Sequence, residues 1–152
     1  MSRWVPSDEQ LGGVYAAFWR LMDMSVHRYG SYPTGHLYIV LTIMMLDRVE
    51  YYPTVSELAE IVRLPKSTVS RYISSEMRSG FLKEVIDPDD RRRRRLHLTT
   101  LAREEGLWHR EQVRKITELS TMVFSEKDFA GKGKAYFEKL IAESRIGDDK
   151  KR

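Results

Sequence analysis

The chain has 152 residues, 41% hydrophobic and 32% charged, with a formal net charge of +4 and no cysteine. That balance belongs to a folded globular protein with room for a core, and it excludes a disordered chain. Lacking cysteine, the chain can have no disulfides, thiolate metal sites, cysteine nucleophiles or thiol redox sensing.

The N-terminus lacks a basic segment followed by an apolar run, so no signal peptide is expected. Ser7 or Asp8 caps a first helix running to about Tyr29, with Leu11, Val14, Tyr15, Phe18, Leu21 and Met22 at helical spacing and Trp19 beside them. Gly30, Pro33 and Gly35 then punctuate the chain. Leu37 to Leu46 is apolar on nearly every side, which predicts a helix buried all round. It is also the longest apolar stretch and far too short to cross a membrane, so a cytoplasmic location and no membrane partner are expected.

Thr54-Val55-Ser56-Glu57 reads as a capping box. The helix it opens places Val55, Leu58, Ala59 and Val62 on one face. Leu64-Pro65 breaks that helix, and Pro65 suits the first turn of the next. In this second helix Val69, Tyr72, Ile73 and Met77 form an apolar stripe, and Ser67, Ser70, Arg71, Ser74 and Arg78 the opposite, polar one. Gly80 supplies the stop. Phe81 to Ile86 and Arg93 to Leu98 read as paired strands joined by an Asp-Pro-Asp-Asp-Arg turn. A long helix follows from Thr99 to about Phe124, carrying Leu107, Val113, Ile116, Leu119 and Val123. Ser125 caps a last helix bearing Phe129, Tyr136, Phe137, Leu140 and Ile141, weakened near Gly131 and Gly133. The tail from Gly147 to Arg152 is polar and loose.

Charge is concentrated in one place. From Arg63 to Arg95 there are ten basic residues (Arg63, Lys66, Arg71, Arg78, Lys83 and Arg91 to Arg95) against Glu76, Glu84, Asp87, Asp89 and Asp90, a local net of +5 in a chain whose total is +4. A compact helical pair followed by an arginine-loaded hairpin tip suits duplex DNA, which offers a groove to enter and a dense line of phosphates. Small residues on the polar face of the second helix allow close approach to bases, and arginine can read guanine or phosphate. Narrow grooves concentrate negative potential, which favours insertion of the tip over a merely solvated loop.

The run Ser56-Glu57-Leu58-Ala59, Ser67-Thr68-Val69-Ser70-Arg71, Gly80-Phe81-Leu82, Asp87-Pro88-Asp89-Asp90-Arg91-Arg92 and Leu98-Thr99 resembles, in order and spacing, the MarR family of winged helix-turn-helix transcription regulators. The resemblance implies a mainly α fold with a small two- or three-stranded β wing: a winged helix-turn-helix head over about 36–99, dimerisation helices over about 8–30 and 100–146, and a tail at 147–152, all in one domain spanning 1–152. It implies groove and phosphate contacts from Ser67, Thr68, Ser70 and Arg71, with Arg91 or Arg92 at the wing tip and Asp90 bracing that loop. Lys66, Ser74 and Arg93 flank these positions and complete the candidate DNA-binding set. Three positions depart from the family pattern. Pro65 stands where a capping serine is usual, Glu84 where a basic residue is common, and the wing holds five consecutive arginines rather than two or three.

A single recognition helix buries too little surface to be specific, whereas two related by a twofold axis read both halves of a palindrome. The expected protein is therefore a homodimeric, sequence-specific regulator of a palindromic double-stranded operator, and the resemblance implies a repressor released by a small aromatic or anionic effector. Tyr15, Trp19 and Tyr38 belong to an aromatic set, with Phe18, Tyr29 and Tyr32, that could line a pocket for such a ligand; plain core or dimer interface is the commoner use. Leu11, Val14 and Phe18, with Phe137, Leu140 and Ile141, are the expected dimer surfaces. The histidines His27, His36, His97 and His109 show no i, i+4 pair, so structural roles are expected and no metal or other cofactor. There is no nucleophile elbow, phosphate-binding glycine loop or zinc-protease helix, so no catalytic residue is assigned and no enzyme is expected. The rival readings are a winged-helix module for RNA or a protein partner, and a small helical ligand-binding protein or enzyme.

Overall fold

A computed structural model of the chain describes residue 5, residues 7–120, residues 133–135 and residue 138. The elements are α1 (Asp8–Tyr29), α2 (Thr34–Arg48), α3 (Val55–Val62), α4 (Lys66–Arg78), β1 (Leu82–Ile86), β2 (Arg94–Leu98) and α5 (Thr100–Ser120). Residues 133–135 and 138 are helical. The rest of the expected last helix, with Ser125, Phe129, Tyr136, Phe137, Leu140 and Ile141, lies outside the described residues, as does the tail.

The chain divides into two compact units, one of residues 1–31 and 109–152, the other Tyr32–Trp108. The second is built on a buried cluster of Ile39 and Ile43 from α2, Leu58, Ala59 and Val62 from α3, Val69 and Ile73 from α4, Leu82 from β1 and Leu96 from β2. Each such side chain removed from water contributes roughly 1.5–3 kcal/mol before conformational entropy is subtracted. Every element from α2 to β2 thus owes its place to one shared core.

Local chemistry fixes the element ends. The Thr54 hydroxyl accepts from the Glu57 amide at 3.2 Å and the Glu57 carboxylate accepts from the Thr54 amide at 2.9 Å, so the capping box is complete. The helix it opens stops at Arg63, whose φ of 54° is left-handed, and the chain turns there into α4. Pro65 is the N-cap of α4 rather than a residue of its first turn, and its carbonyl accepts from the Val69 amide at 3.0 Å. At the other end Gly80, with φ 83°, donates to Met77 O while Phe81 donates to Glu76 O. This paired closure needs a left-handed residue that glycine adopts without strain.

The strands pair antiparallel from Leu82 opposite Leu98 to Ile86 opposite Arg94, and the sheet has two strands among the described residues. One expectation fails. The stretch Leu37 to Leu46 is not buried all round: only His36, Ile39 and Ile43 of α2 are buried, while Tyr38 and Met45 are 46% and 69% exposed. Only one face of α2 meets the head core. On α5, Ile116 is buried and Leu107 is 64% exposed.

No helix of the described residues is long and apolar enough to cross a membrane.

Candidate nucleic-acid interface

The spacing of Val69 and Ile73, 0% and 1% exposed, presses one face of α4 into the core. Their opposite face must then look outward. Lys66, Ser67 and Arg71 are exposed, and Thr68, Ser70 and Ser74 are half-buried. All six candidate residues of this helix lie outside the two fully buried positions. With Arg78 also exposed, the outer surface of α4 combines small hydroxyls with three cations.

Beneath that surface lies a polar and aromatic cluster that the spacing did not disclose. The Arg71 guanidinium carbon sits 5.3 Å from the centre of the Tyr72 ring. Tyr72 stacks on His36 of α2, with centroids 4.7 Å apart and planes at 19°, and Tyr32 meets His36 edge-on at 4.7 Å. His36 Nε2 lies 2.6 Å from Glu76 Oε1, with both side chains nearly buried. Burial, and then the negative Glu76, push the Tyr32 hydroxyl above its ordinary pKa. His36 therefore has the structural role expected of it.

The wing turn is knitted by its own backbone. Asp87 N donates to Arg93 O and Arg93 N to Asp90 O, both at 2.9 Å. The Asp90 carboxylate accepts from the Arg92 amide at 3.0 Å and lies 3.6 Å from Arg93 Nε. These bonds hold the loop so that Arg91, Arg92, Arg93 and Arg94 are all exposed. Arg94 approaches Glu84 on the facing strand at 3.9 Å, with 63% of its side chain exposed, so this pair is weak.

Arg95 behaves differently from its four neighbours. Its Nε donates to Asp87 Oδ2 at 2.6 Å, and its Nη1 donates to Tyr52 O at 2.8 Å and to Glu57 Oε2 at 3.3 Å. Asp87 is buried, and its other oxygen accepts from the Asp89 amide at 2.8 Å. That amide bond, followed by the Arg95 hydrogen bond, holds the Asp87 carboxyl below its ordinary pKa. The sequence did carry a signal for this. Alternation along the return strand sets Arg93, Arg95 and His97 on the side away from Leu96, but nothing local says what that side meets. It meets Tyr52, whose ring stacks on His97 at 3.9 Å and 15°.

The base of the wing is closed as well. Thr99 N donates to Phe81 O at 3.1 Å, the Thr99 hydroxyl donates to Gly80 O at 2.5 Å, and the same oxygen accepts from the Ala102 amide, capping α5.

Of the candidate ligand residues, Tyr15 and Trp19 belong to the first unit and Tyr38 to the second. Tyr15 is 72% exposed and Tyr38 46%, while Trp19 is partly buried. Among the described residues no group of three or more His, Cys, Asp or Glu side chains could hold a metal ion.

No family model matches the chain, and no curated protein matches it. Solved structures do. A MarR-like transcriptional regulator of Thermotoga maritima aligns over 93% of this chain and 99% of its own at 24% identity, with a TM-score of 0.50. Wild-type MarR of E. coli in its apo form aligns over 91% of this chain and 98% of its own at 14% identity, with a TM-score of 0.54. MepR of S. aureus, solved with ethidium bromide bound, aligns over 86% and 89% at 15% identity, with a TM-score of 0.51. Likeness at this identity is a likeness of fold, and the chain has the mainly helical winged helix-turn-helix fold of the MarR-type regulators.

Proposed function

We propose that the protein is a double-stranded DNA-binding transcriptional regulator. One observation carries this reading: the exposed face of α4, with Lys66, Ser67 and Arg71, and the exposed arginines Arg91 to Arg94 of the wing stand on the same buried core. A helix lined with small hydroxyls and an arginine can enter a major groove, and a narrow cationic hairpin can follow the adjoining phosphates or minor groove. Within this reading Lys66, Ser67, Thr68, Ser70, Arg71 and Ser74 make the groove and phosphate contacts. Arg91, Arg92 and Arg93 serve the wing, with Asp90 bracing its loop.

The finer reading is a homodimer on a palindromic operator, acting as a repressor released by a small molecule. Leu11, Tyr15, Phe18, Met22 and Val26 form one exposed apolar stripe along α1, and such a stripe on a soluble protein calls for a partner. A second copy of this chain supplies that partner and also the second recognition helix. The effector is a small aromatic or anionic compound; MepR, which shares the fold, has been solved with a planar aromatic compound bound. A ligand acts by favouring one spacing of the two heads over another.

The test is to select duplexes from a random pool with the purified protein. The best site is then compared at fixed salt with random duplex and structured RNA. Preference for one palindrome supports the reading. Equal binding to all three, or preference for RNA, overturns it in favour of a general nucleic-acid or RNA module.

A further inference from the structure

The five-arginine run is not one uniform patch. Arg91 to Arg94 point into solvent, but the Arg95 side chain is only 24% exposed and is spent on protein partners. Those partners come from two places. Asp87 lies at the start of the wing turn, whereas Tyr52 O and Glu57 Oε2 belong to the segment that opens α3. Glu57 is at the same time the carboxylate of the capping box, accepting from the Thr54 amide.

The same two segments meet again one residue later. Leu96 N donates to the buried Pro53 carbonyl at 2.8 Å, and His97 stacks on Tyr52. Successive residues of β2 therefore grip residues 52–57 by a guanidinium, a backbone bond and a ring. A two-stranded ribbon alone is marginally stable and free to swing. These three grips fix its base, but only the Arg95 guanidinium also reaches the turn, through Asp87.

We infer that Arg95 is a positioning residue, tying the wing turn to the capping box of α3 and so setting where Arg91 and Arg92 stand relative to the outer face of α4. This rests on the DNA-binding reading above. Its logic is geometric: α3 packs on α4 through the shared core, so a wing fixed to the start of α3 is fixed relative to α4. A guanidinium suits the task because its planar fork holds donors at fixed angles, which a lysine ammonium cannot reproduce. Arg95 therefore contributes to DNA binding without touching DNA.

The test uses the full chain and its best selected duplex. Arg95→Leu and Arg95→Lys are compared with the native protein and with the double change Arg91→Ala, Arg92→Ala. Hydrogen exchange of the Asp89 to Arg93 amides is followed in the free protein, and duplex affinity is measured across a range of salt. Both Arg95 variants are expected to speed wing exchange and to weaken binding by roughly tenfold, the scale of coupled neighbouring residues. Their log-affinity versus log-salt slope should stay native, because no phosphate contact is lost. The double change should instead lower the slope by about 0.9 for each lost contact and leave wing exchange native. In the Arg95→Leu background the double change should cost less than in the native one.

A slope lowered by Arg95→Leu with native wing exchange would make Arg95 a phosphate contact and overturn the proposal. Strict additivity of the two changes would also overturn it, as would full function in Arg95→Lys. Should Arg95→Leu fail to fold, Arg95→Lys and Asp87→Asn carry the same comparison. The exchange measurement needs no DNA, so loss of the brace and failure of the regulator reading show up in separate data.

Discussion

His36 Nε2 and Glu76 Oε1, forty residues apart in sequence, meet at 2.6 Å with their side chains only 6% and 12% exposed. The bond joins α2 to the inner face of α4, directly below the Tyr72 ring on which Arg71 lies. A buried polar group left without its partner costs about 1–3 kcal/mol. His36→Leu should therefore destabilise the protein by that amount in urea unfolding. Once Glu76 has been changed to leucine as well, the pair should cost less than the sum of the single changes. Additive losses would show that the two side chains do not depend on one another.

Arg71 is expected to carry sequence discrimination. Its guanidinium projects from the outer face of α4, supported by Tyr72, where it can pair with guanine O6 and N7. Arg71→Ala should cost about 1–3 kcal/mol on the best duplex and much less on random DNA. Equal losses on both would reduce Arg71 to a phosphate contact.

Asp90 acts on the wing from within. Its carboxylate holds the Arg92 amide and its carbonyl the Arg93 amide, so Asp90→Ala removes the first bond and leaves the second. Affinity should fall for selected and random duplex alike, with the salt slope unchanged. A flattened slope would mean that the change also withdraws an arginine from the phosphates.

The exposed stripe on α1 is expected to form the dimer. Tyr15→Glu together with Phe18→Glu should lower the mass measured by sedimentation equilibrium toward that of one chain, or cause aggregation. A stable dimer of native mass would place the interface elsewhere.

Stability should depend on pH through His97. Burial against Tyr52 first, then the positive Lys83 and Arg103, with a smaller push from Arg95 and opposed by Asp47, hold its imidazole below the ordinary value of 6.5. As pH falls through 6.5 the unfolded chain takes the proton before the folded one does. The His97 contribution is therefore fully present above that pH and is lost progressively down to the lower folded value. His97→Phe keeps a ring against Tyr52 and removes the titration, so unfolding measured from pH 7.5 to 5 should show a shallower fall. An unchanged fall would assign the acid sensitivity to other groups.

Much of this architecture can be read from the sequence because the signals are local. Thr54 and Glu57 are three residues apart, Val69 and Ile73 four, and Gly80 ends a helix by its own backbone freedom. Such features announce themselves within one or two turns of chain. What the sequence does not carry is tertiary. Asp87 and Arg95 face each other only once the hairpin closes, and Tyr52 enters their company only once α3 packs beside β2. Alternation placed Arg95 on a face of the strand but could not say that Glu57 waits there. For the same reason Leu37 to Leu46 misled: hydrophobicity on all sides cannot tell whether the head core covers a face or leaves it, as with Met45, in solvent.

The closure of the wing at Thr99 has a consequence for limited proteolysis. Arg91 to Arg94 present four consecutive trypsin sites on an exposed turn, where nicking usually divides a protein. Here both flanks of the turn stay anchored after a cut, the outgoing strand by its register with β2 and the returning one by Pro53, Gly80 and Phe81. A brief digestion should yield two fragments on a denaturing gel that still travel together on a sizing column.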